Sequence, residues 1–233
     1  MAIRPVFVIN SNPPYYKKID VEFKYASGFS LTQKQKNINN LHSSLLKSYP
    51  KYKILEISTK SMEYLGQSLS AFNLELKING KAYSVESIYQ SSKVFTSGKQ
   101  YNSILYKSPL EAKKYHNKND SGMLEKFRFL NIDFPLEPNT YFYNWLYINA
   151  LVRHKDLLEK LLDGDYNAFS DIEFNPNKSI NCQAQAVAIC ISLIKTDKLF
   201  DLYKDNFIDK EFFLKTVYEN HFIISSTLNL TNL

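Results

Sequence analysis

"INGKAYSVESIYQSSKVF", residues 78–95, predicts a tight turn that leads directly into a helix. The pair Asn79-Gly80 is a strong signal for a two-residue β-hairpin turn. Ser84 is a suitable N-cap for the helix, and Gly98 is a suitable residue to end it. The stretch therefore predicts a hairpin followed by one short helix.

Three polar residues of this helix, Glu86, Gln90 and Lys93, fall on one narrow stripe. At about 100° per residue, Gln90 lies about 40° from Glu86, and Lys93 lies about 20° to the other side. The opposite face, which we expect to enter the core, carries Val85, Ile88, Ser92 and Phe95. The stripe is therefore either a solvated polar face or a surface that contacts a substrate.

The composition is that of a globular protein. The chain has 233 residues, of which 44% are hydrophobic and 22% are charged, enough for one large domain or a core with an added subdomain. The net charge is +6, which is compatible with a phosphate-rich partner such as nucleic acid. Only three of the 29 basic residues are arginine, however, so an AT-biased genome is an equally good explanation.

The two cysteines indicate a reducing compartment. If one helix carries Cys182 and Cys190, they are about 12 Å apart, too far for a disulfide. The four histidines show no metal-ligand spacing, and we expect neither a metal nor a cofactor. Without a signal peptide or a long apolar run, the expected protein is cytoplasmic and does not contact a membrane.

The remaining pattern predicts an α+β chain. Strands are expected at 4–9, 18–25 and 53–58. Helices are expected at 33–48 with Thr32 as its cap, after the capping box Ser108–Glu111, over 139–164 as one helix or two joined near His154, at 182–194, and at 199–220. Residues 169–182 are expected to form a polar loop.

Residues 78–95 resemble the signature of the NADAR family (the YbiA-like proteins). That signature is a Gly-Lys hairpin followed by a helix with Glu, Gln and Lys at the positions of Glu86, Gln90 and Lys93. A second stretch, "NAFSDIEFNPNKSINCQAQAVAICISLI" (167–194), resembles the family's aromatic–Asp loop and apolar helix. It supplies Phe169, Asp171 and Asn181, with Ala184 where the family has glycine. A third family motif is altered to "LSAFN", in which Ala71 replaces an asparagine and Asn73 follows two residues later.

The longer architecture resembles the NADAR antitoxins that are paired with DarT-type toxins. This resemblance implies a mainly helical core at 63–200 that contains the hairpin, a β-rich N-terminal extension at 1–62 packed on that core, and a helical tail at 201–233. Such toxins ADP-ribosylate guanine in DNA, and their antitoxins remove the modification. The implied activity is therefore an N-glycosidase that releases ADP-ribose from guanine and has a cognate toxin as a partner.

The resemblance also implies roles for individual residues. Lys93 would be a nucleophile that forms a Schiff base, and Glu86 a general acid or base. The implied substrate-binding residues are Gln90, Asp171, Asn181, Phe169 and Asn73. Alternatives stay open: Glu86 as a partner of the helix dipole, Lys93 as a solvated side chain, Asp171 as a turn residue and Asn181 as a helix cap.

Aromatic and basic residues suggest how DNA would be held. Trp145 is either a platform on which a base stacks or a core residue. The segment between the two motifs interleaves aromatic residues with positive charge, and from it we predict DNA contacts by Lys113, Lys114, Lys126 and Arg128. Two alternative functions are a small-molecule N-glycosidase acting on riboflavin-pathway intermediates and a non-catalytic module that binds DNA or the toxin.

Overall fold

The computed structural model describes residues 1–115, 122–204 and 207–219. The strands are β1 (Ala2–Ile9), β2 (Tyr16–Phe23), β3 (Ile54–Glu56), β4 (Glu75–Ile78), β5 (Lys81–Ser84), β6 (Lys93–Phe95), β7 (Leu124–Phe129), β8 (Ile132–Phe134), β9 (Ala168–Ser170), β10 (Tyr203–Lys204) and β11 (Phe207–Ile208). The helices are α1 (Leu31–Ser48), α2 (Tyr64–Ser68), α3 (Val85–Ser91), α4 (Pro109–Tyr115), α5 (Tyr141–Leu151), α6 (Lys155–Asp163), α7 (Gln183–Lys195), α8 (Lys198–Asp201) and α9 (Lys210–Leu214). The mixture of helices and several small sheets confirms the α+β class.

A four-stranded sheet combines the three strands β1, β2 and β3 with β9, which comes much later in the chain. Its strand order is β2-β1-β9-β3, in which β9 is antiparallel to β1 and parallel to β3. A strand of the segment 63–200 thus lies between two strands of the segment 1–62. The last residue of β9, Ser170, immediately precedes Asp171, so the sheet fixes where the polar loop begins.

Side chains alternate between the two faces of the sheet along each strand, so both faces carry apolar residues, and helices pack on both. Val6 and Val8 point toward α1, where they pack with Ile38, Leu41 and other residues of one apolar cluster. Phe7, Leu55 and Phe169 point the other way, into the larger apolar cluster that contains most of α5 and α7. Helix α7 is almost entirely buried, as its sequence predicts.

The signature stretch folds largely as expected. Strands β4 and β5 form the hairpin, and Asn79 and Gly80 at its turn both have positive φ angles, 49° and 79°. The Ser84 Oγ accepts a hydrogen bond from the backbone N–H of Ser87 at 3.1 Å and caps α3. All four residues expected to face the core, Val85, Ile88, Ser92 and Phe95, are buried.

The prediction that α3 continues to Gly98 is wrong. The helix ends at Ser91, where the hydroxyls of Ser91 and Ser92 both donate to the carbonyl of Ile88 and compete with further helical bonding. The chain then enters β6, which pairs with β7. Lys93 therefore lies on a strand, and Gly98, with φ 75°, serves a turn.

Other boundaries also differ from the sequence prediction. Ser30, not Thr32, caps α1 by accepting from the backbone N–H of Gln33. Residues 139–164 form two helices with His154 between them, the second of the two predicted arrangements. The expected loop 169–182 begins inside β9, and the expected helix 199–220 is interrupted by the short strands β10 and β11.

The predicted helical tail, 201–233, is described only as far as residue 219, and residues 220–233 lie outside the described part of the chain. Within it, α9 is followed by a π-helical turn, Lys215–Glu219. None of the helices in the described ranges has the length and apolar character that crossing a membrane requires.

Candidate active site

Helix α3 brings the first two residues of the stripe together. The Gln90 Nε2 donates to the Glu86 Oε1 at 2.9 Å. Glu86 and Gln90 are only 8% and 7% exposed, so this is not the solvated polar face that helical periodicity alone favours. A carboxylate kept at this depth has a specific partner and a fixed orientation.

Lys93 lies just beyond the helix, on β6. Its Nζ is 5.3 Å from the centroid of the Tyr89 ring, within cation–π range. Burial lowers the pKa of Lys93, and the nearby Glu86 opposes this shift only in part. Lys93 is half-buried, and a larger fraction of its amine is neutral at a given pH than of the amine of a surface lysine.

The loop after β9 meets this cluster through Asn181. Its Nδ2 donates to the Tyr89 hydroxyl at 2.7 Å, on the ring that Lys93 covers. Asn181 is not the helix cap, because Cys182 occupies that position. Tyr89 thus joins α3 to the loop, and Tyr143 contacts the Tyr89 ring edge-on with centroids 5.3 Å apart.

A glutamine of α7 ties the sheet to the base of α3. Gln183 accepts from the backbone N–H of Ala71 at 2.7 Å and donates to the carbonyl of Ile57. The carbonyl of Ala71 in turn accepts from the backbone N–H of Glu86 at 2.9 Å. The altered "LSAFN" motif thus supplies a backbone anchor for Glu86.

Asp171 is a second buried carboxyl at the loop. It is 7% exposed, and its Oδ1 accepts from the backbone N–H of Glu173 at 3.0 Å, as expected for a turn residue. Burial, together with the negative charge of Glu56, raises the pKa of Asp171 well above its usual range. Burial raises the pKa of Tyr143 well above its usual range, and the negative charges of Glu86 and Asp171 raise it further.

Three residues predicted to bind substrate lie elsewhere. Trp145 is 3% exposed, and its Nε1 donates to the carbonyl of Ile208, so its ring is a core element and not a stacking platform. Phe169 is fully buried in the sheet, where packing explains it. Asn73 uses its Nδ2 to donate to the carbonyl of Gln67 at 2.8 Å, which makes it part of a local turn.

The four basic residues predicted to contact DNA separate into two groups. Lys113 and Lys114 are exposed on α4, and the Lys113 Nζ is 5.5 Å from the centroid of the Phe72 ring. The charge of Lys113 also acts on Asp171. Lys126 and Arg128 both bind Asp133, at 2.7 Å for the lysine Nζ and with two nitrogens for the arginine.

Sequence reasoning missed a buried polar network beside Asp171. The Glu56 carboxylate accepts from the Ser58 hydroxyl and from the backbone N–H of Ile172, and the Ser170 hydroxyl donates to its other oxygen. The His42 Nε2 lies 2.8 Å from the Ser170 Oγ. The alternation in "KILEIS" assigns Glu56 to one face of a strand, but nothing in that pattern indicates that this face is buried.

The His42 side chain makes the stability of the folded protein depend on pH. Burial lowers the pKa of His42 from about 6.5 to about 4, so the folded state holds it neutral where the unfolded chain would be protonated. Its contribution to stability is fully present above pH 6.5 and is lost as the pH falls toward 4. Protonation of His42 should lower the free energy of unfolding of the wild type by about 3 kcal/mol over this interval, and His42→Gln should not show this decrease.

Chemical denaturation between pH 4 and 7.5 measures this effect. The difference between the wild type and His42→Gln should shrink as the pH falls. His154→Gln is the matched control, because His154 also contacts a protein oxygen, the carbonyl of Glu75, but in an exposed environment. An identical pH dependence in wild type and His42→Gln would contradict the assignment.

The described residues contain no group of three or more His, Cys, Asp or Glu that could hold a metal ion. The polar groups of the site are a buried carboxyl group, an amine with a lowered pKa, a second buried carboxyl group and the amides beside them. Cys182 and Cys190 are free and buried.

Comparison with known proteins identifies the family. The family model for the DarT1-associated NADAR antitoxins matches residues 2–223, which includes the N-terminal strands, the α3 segment and the loop with Asp171 and Asn181. Among curated proteins, no match to the chain is found. The chain therefore belongs to the DarT1-associated NADAR antitoxin family, whose description implies a cognate DarT toxin as its partner.

Proposed function

We propose that the protein hydrolyses the N-glycosidic bond between guanine and ADP-ribose in DNA and so reverses the modification made by its cognate toxin. The observation that carries this proposal is the proximity of Lys93, a half-buried amine whose pKa burial lowers, to the buried carboxyl group of Glu86, whose charge acts on it. Membership of the antitoxin family supports it.

The reaction requires a nucleophile at the anomeric carbon and a proton for the departing base. In the proposed reactive form, the Glu86 carboxylate has taken up the proton that the Lys93 amine has given up. The neutral Lys93 Nζ then forms a bond to that carbon while the bond to the guanine nitrogen breaks, and Glu86 passes the proton to the departing base. The amine then loses a proton, and the ribose ring opens to a Schiff base. Water hydrolyses the Schiff base, which releases ADP-ribose and returns Lys93 as the free amine.

A groove beside the first turn of α3 offers room for the rest of ADP-ribose. It has a volume of about 350 Å³ and is lined by Phe72, Tyr83, Tyr106, Lys107 and other residues. Lys107 together with these aromatic rings suits a diphosphate that carries an adenine base. Lys113, whose Nζ is 5.5 Å from the centroid of the Phe72 ring, is not part of this lining.

The test is turnover of a DNA oligonucleotide that carries ADP-ribosylated guanine. We expect release of ADP-ribose and recovery of unmodified guanine, both measured by mass spectrometry. Tight binding of the oligonucleotide without turnover would instead favour a binding module. Cleavage of a riboflavin-pathway intermediate with no action on modified DNA would favour the small-molecule enzyme.

Lys113 provides a separate prediction about how DNA is held. We expect Lys113→Ala to raise the KM for modified DNA and to lower the slope of log affinity against log salt by about one, because one phosphate contact is lost. Lys114→Ala, the adjacent exposed lysine on the same helix, is the control and should change both values less.

The monomeric substrate distinguishes guidance of DNA from damage to the site. An ADP-ribosylated guanosine monomer has no DNA strand, so Lys113→Ala should leave its salt dependence nearly unchanged. Equal effects of Lys113→Ala and Lys114→Ala on the DNA substrate would contradict a specific role for Lys113. Lys126 and Arg128 are less suited to this role because Asp133 offsets part of their charge.

A further inference from the structure

The Glu56 carboxylate forms hydrogen bonds to the residues on both sides of Asp171. It accepts from the backbone N–H of Ile172 at 2.8 Å and from the hydroxyl of Ser170, the two residues that flank Asp171. A third bond, from the Ser58 hydroxyl at 2.7 Å, holds the carboxylate itself. Glu56 is 2% exposed, so it cannot contact a substrate directly.

We propose that Glu56 is a positioning residue with two effects on Asp171. Its hydrogen bonds to the neighbouring residues fix Asp171 in place, and its own negative charge keeps the Asp171 carboxyl group neutral. In this form Asp171 donates a hydrogen bond to the ADP-ribose part of the substrate. This inference deepens the proposed function and rests on it for the identity of the ligand. It assigns Asp171 the role of a donor, where an ionised carboxylate could only accept.

The geometry supports this division of roles. Two carboxyl groups that share a buried region cannot both ionise without a large cost, so one of them retains a proton. Burial raises the pKa of both groups. Within the described residues, three donors are directed at the Glu56 side chain, and the backbone N–H of Glu173 is directed at that of Asp171. Donors stabilise the charged form of a carboxyl group, so the negative charge belongs on Glu56 and the proton on Asp171.

The other titratable groups around the pair come from every neighbouring element. The charged groups that act on Asp171 are Glu56 from β3, Glu173 from the loop and Lys113, an exposed lysine of α4. The charge of Asp171 acts in turn on Tyr143 and Tyr147 of α5 and on Cys182 at the start of α7. His42 contacts Ser170, which donates to Glu56, and Glu173 is paired with Lys34 at 2.8 Å.

The experiment measures the Kd of ADP-ribose, the product of the proposed reaction, by calorimetry from pH 6 to pH 9. Wild-type affinity should weaken as the pH rises and Asp171 ionises. Glu56→Gln removes the neighbouring charge, so the weakening should begin about one pH unit lower. Its amide oxygen can still accept from Ser58 and Ile172, and Ser170 can accept from its amide nitrogen.

Two further variants make the test sharp. Asp171→Asn carries a permanent donor in place of the acid, and we expect it to bind ADP-ribose about as well as the wild type at low pH and with little pH dependence. Ser58→Ala removes one of the three donors to Glu56 without removing a charged group, so its pH dependence should move in the same direction as that of Glu56→Gln but by less. If Glu56→Gln fails to fold, Asp171→Asn decides the result alone.

Failure of this inference can be told apart from failure of the proposed function. An unchanged pH dependence in Glu56→Gln, or a large loss of affinity in Asp171→Asn, would overturn the role of Glu56 even if the wild type turns over modified guanine. The expected pH shifts in the absence of any turnover would support the Glu56 and Asp171 roles and overturn the hydrolase. A wild type that does not bind ADP-ribose at any pH would overturn both.

Discussion

Lys93→Ala is expected to abolish hydrolysis of ADP-ribosylated guanine, with a loss on the order of 10³-fold or more in kcat, because the variant lacks the amine that we propose forms the Schiff base. Lys93→Arg should be equally inactive, since its guanidinium keeps the charge but is not a nucleophile. Borohydride added during turnover should trap a covalent adduct on the wild type, and intact-protein mass spectrometry would detect it.

Lys99→Ala is the matched control for this experiment. Lys99 is an exposed lysine of the turn that follows β6, so its loss should leave both turnover and adduct formation unchanged. Thermal unfolding should show that Lys93→Ala is folded, because the apolar face of α3 is untouched. Substantial turnover by Lys93→Ala would exclude the Schiff-base mechanism, and an adduct on Lys93→Ala would place the nucleophile at another residue.

Glu86→Gln should cause the second largest effect, about 10² to 10⁴-fold in kcat, because it removes the group that transfers the proton. It should also alter the pH profile. Glu86 raises the pKa of Lys93 against the effect of burial, so without its charge the pKa of Lys93 falls further. The acid limb of any remaining activity, where Lys93 becomes protonated, should therefore move to lower pH.

Rate profiles from pH 5 to 9 on the guanosine monomer measure both effects. Glu22→Gln, at an exposed carboxylate on β2, should behave like the wild type. A Glu86→Gln variant with lower activity but an unmoved acid limb would show that Glu86 does not act on Lys93. Full activity would remove Glu86 from the mechanism.

The sequence was sufficient for the elements with strong local signals. The hairpin at Asn79-Gly80, the cap at Ser84 and the apolar helix α7 follow from turn chemistry, capping and hydrophobicity, which act over a few residues. The position of Lys93 could not be predicted this way. Pairing of β6 with β7, more than 30 residues later in the chain, overrides the helical pattern.

For the same reason, only the part of the candidate site formed by residues close in sequence could be predicted. Glu86 and Lys93 are close in sequence, and a motif could associate them. Asn181 contacts Tyr89, which lies about 90 positions earlier in the chain. Glu56 forms hydrogen bonds to Ser170 and Ile172, which lie about 115 positions later. Such pairs depend on the order of strands in the sheet, for which a single sequence gives no direct signal.

The position of β9 between β1 and β3 has a consequence for synthesis of the protein. Strand β1 is complete when residue 9 has been made, but its partner on that side ends only at residue 170. At roughly 5 to 20 residues per second, the edge of β1 waits on the order of 10 to 30 seconds for this partner. Strand β3 waits for the same three residues. The Asp171 side of the site therefore cannot assemble until more than two thirds of the chain has left the ribosome, so a chain that stops before Asp171 has no partly formed version of it.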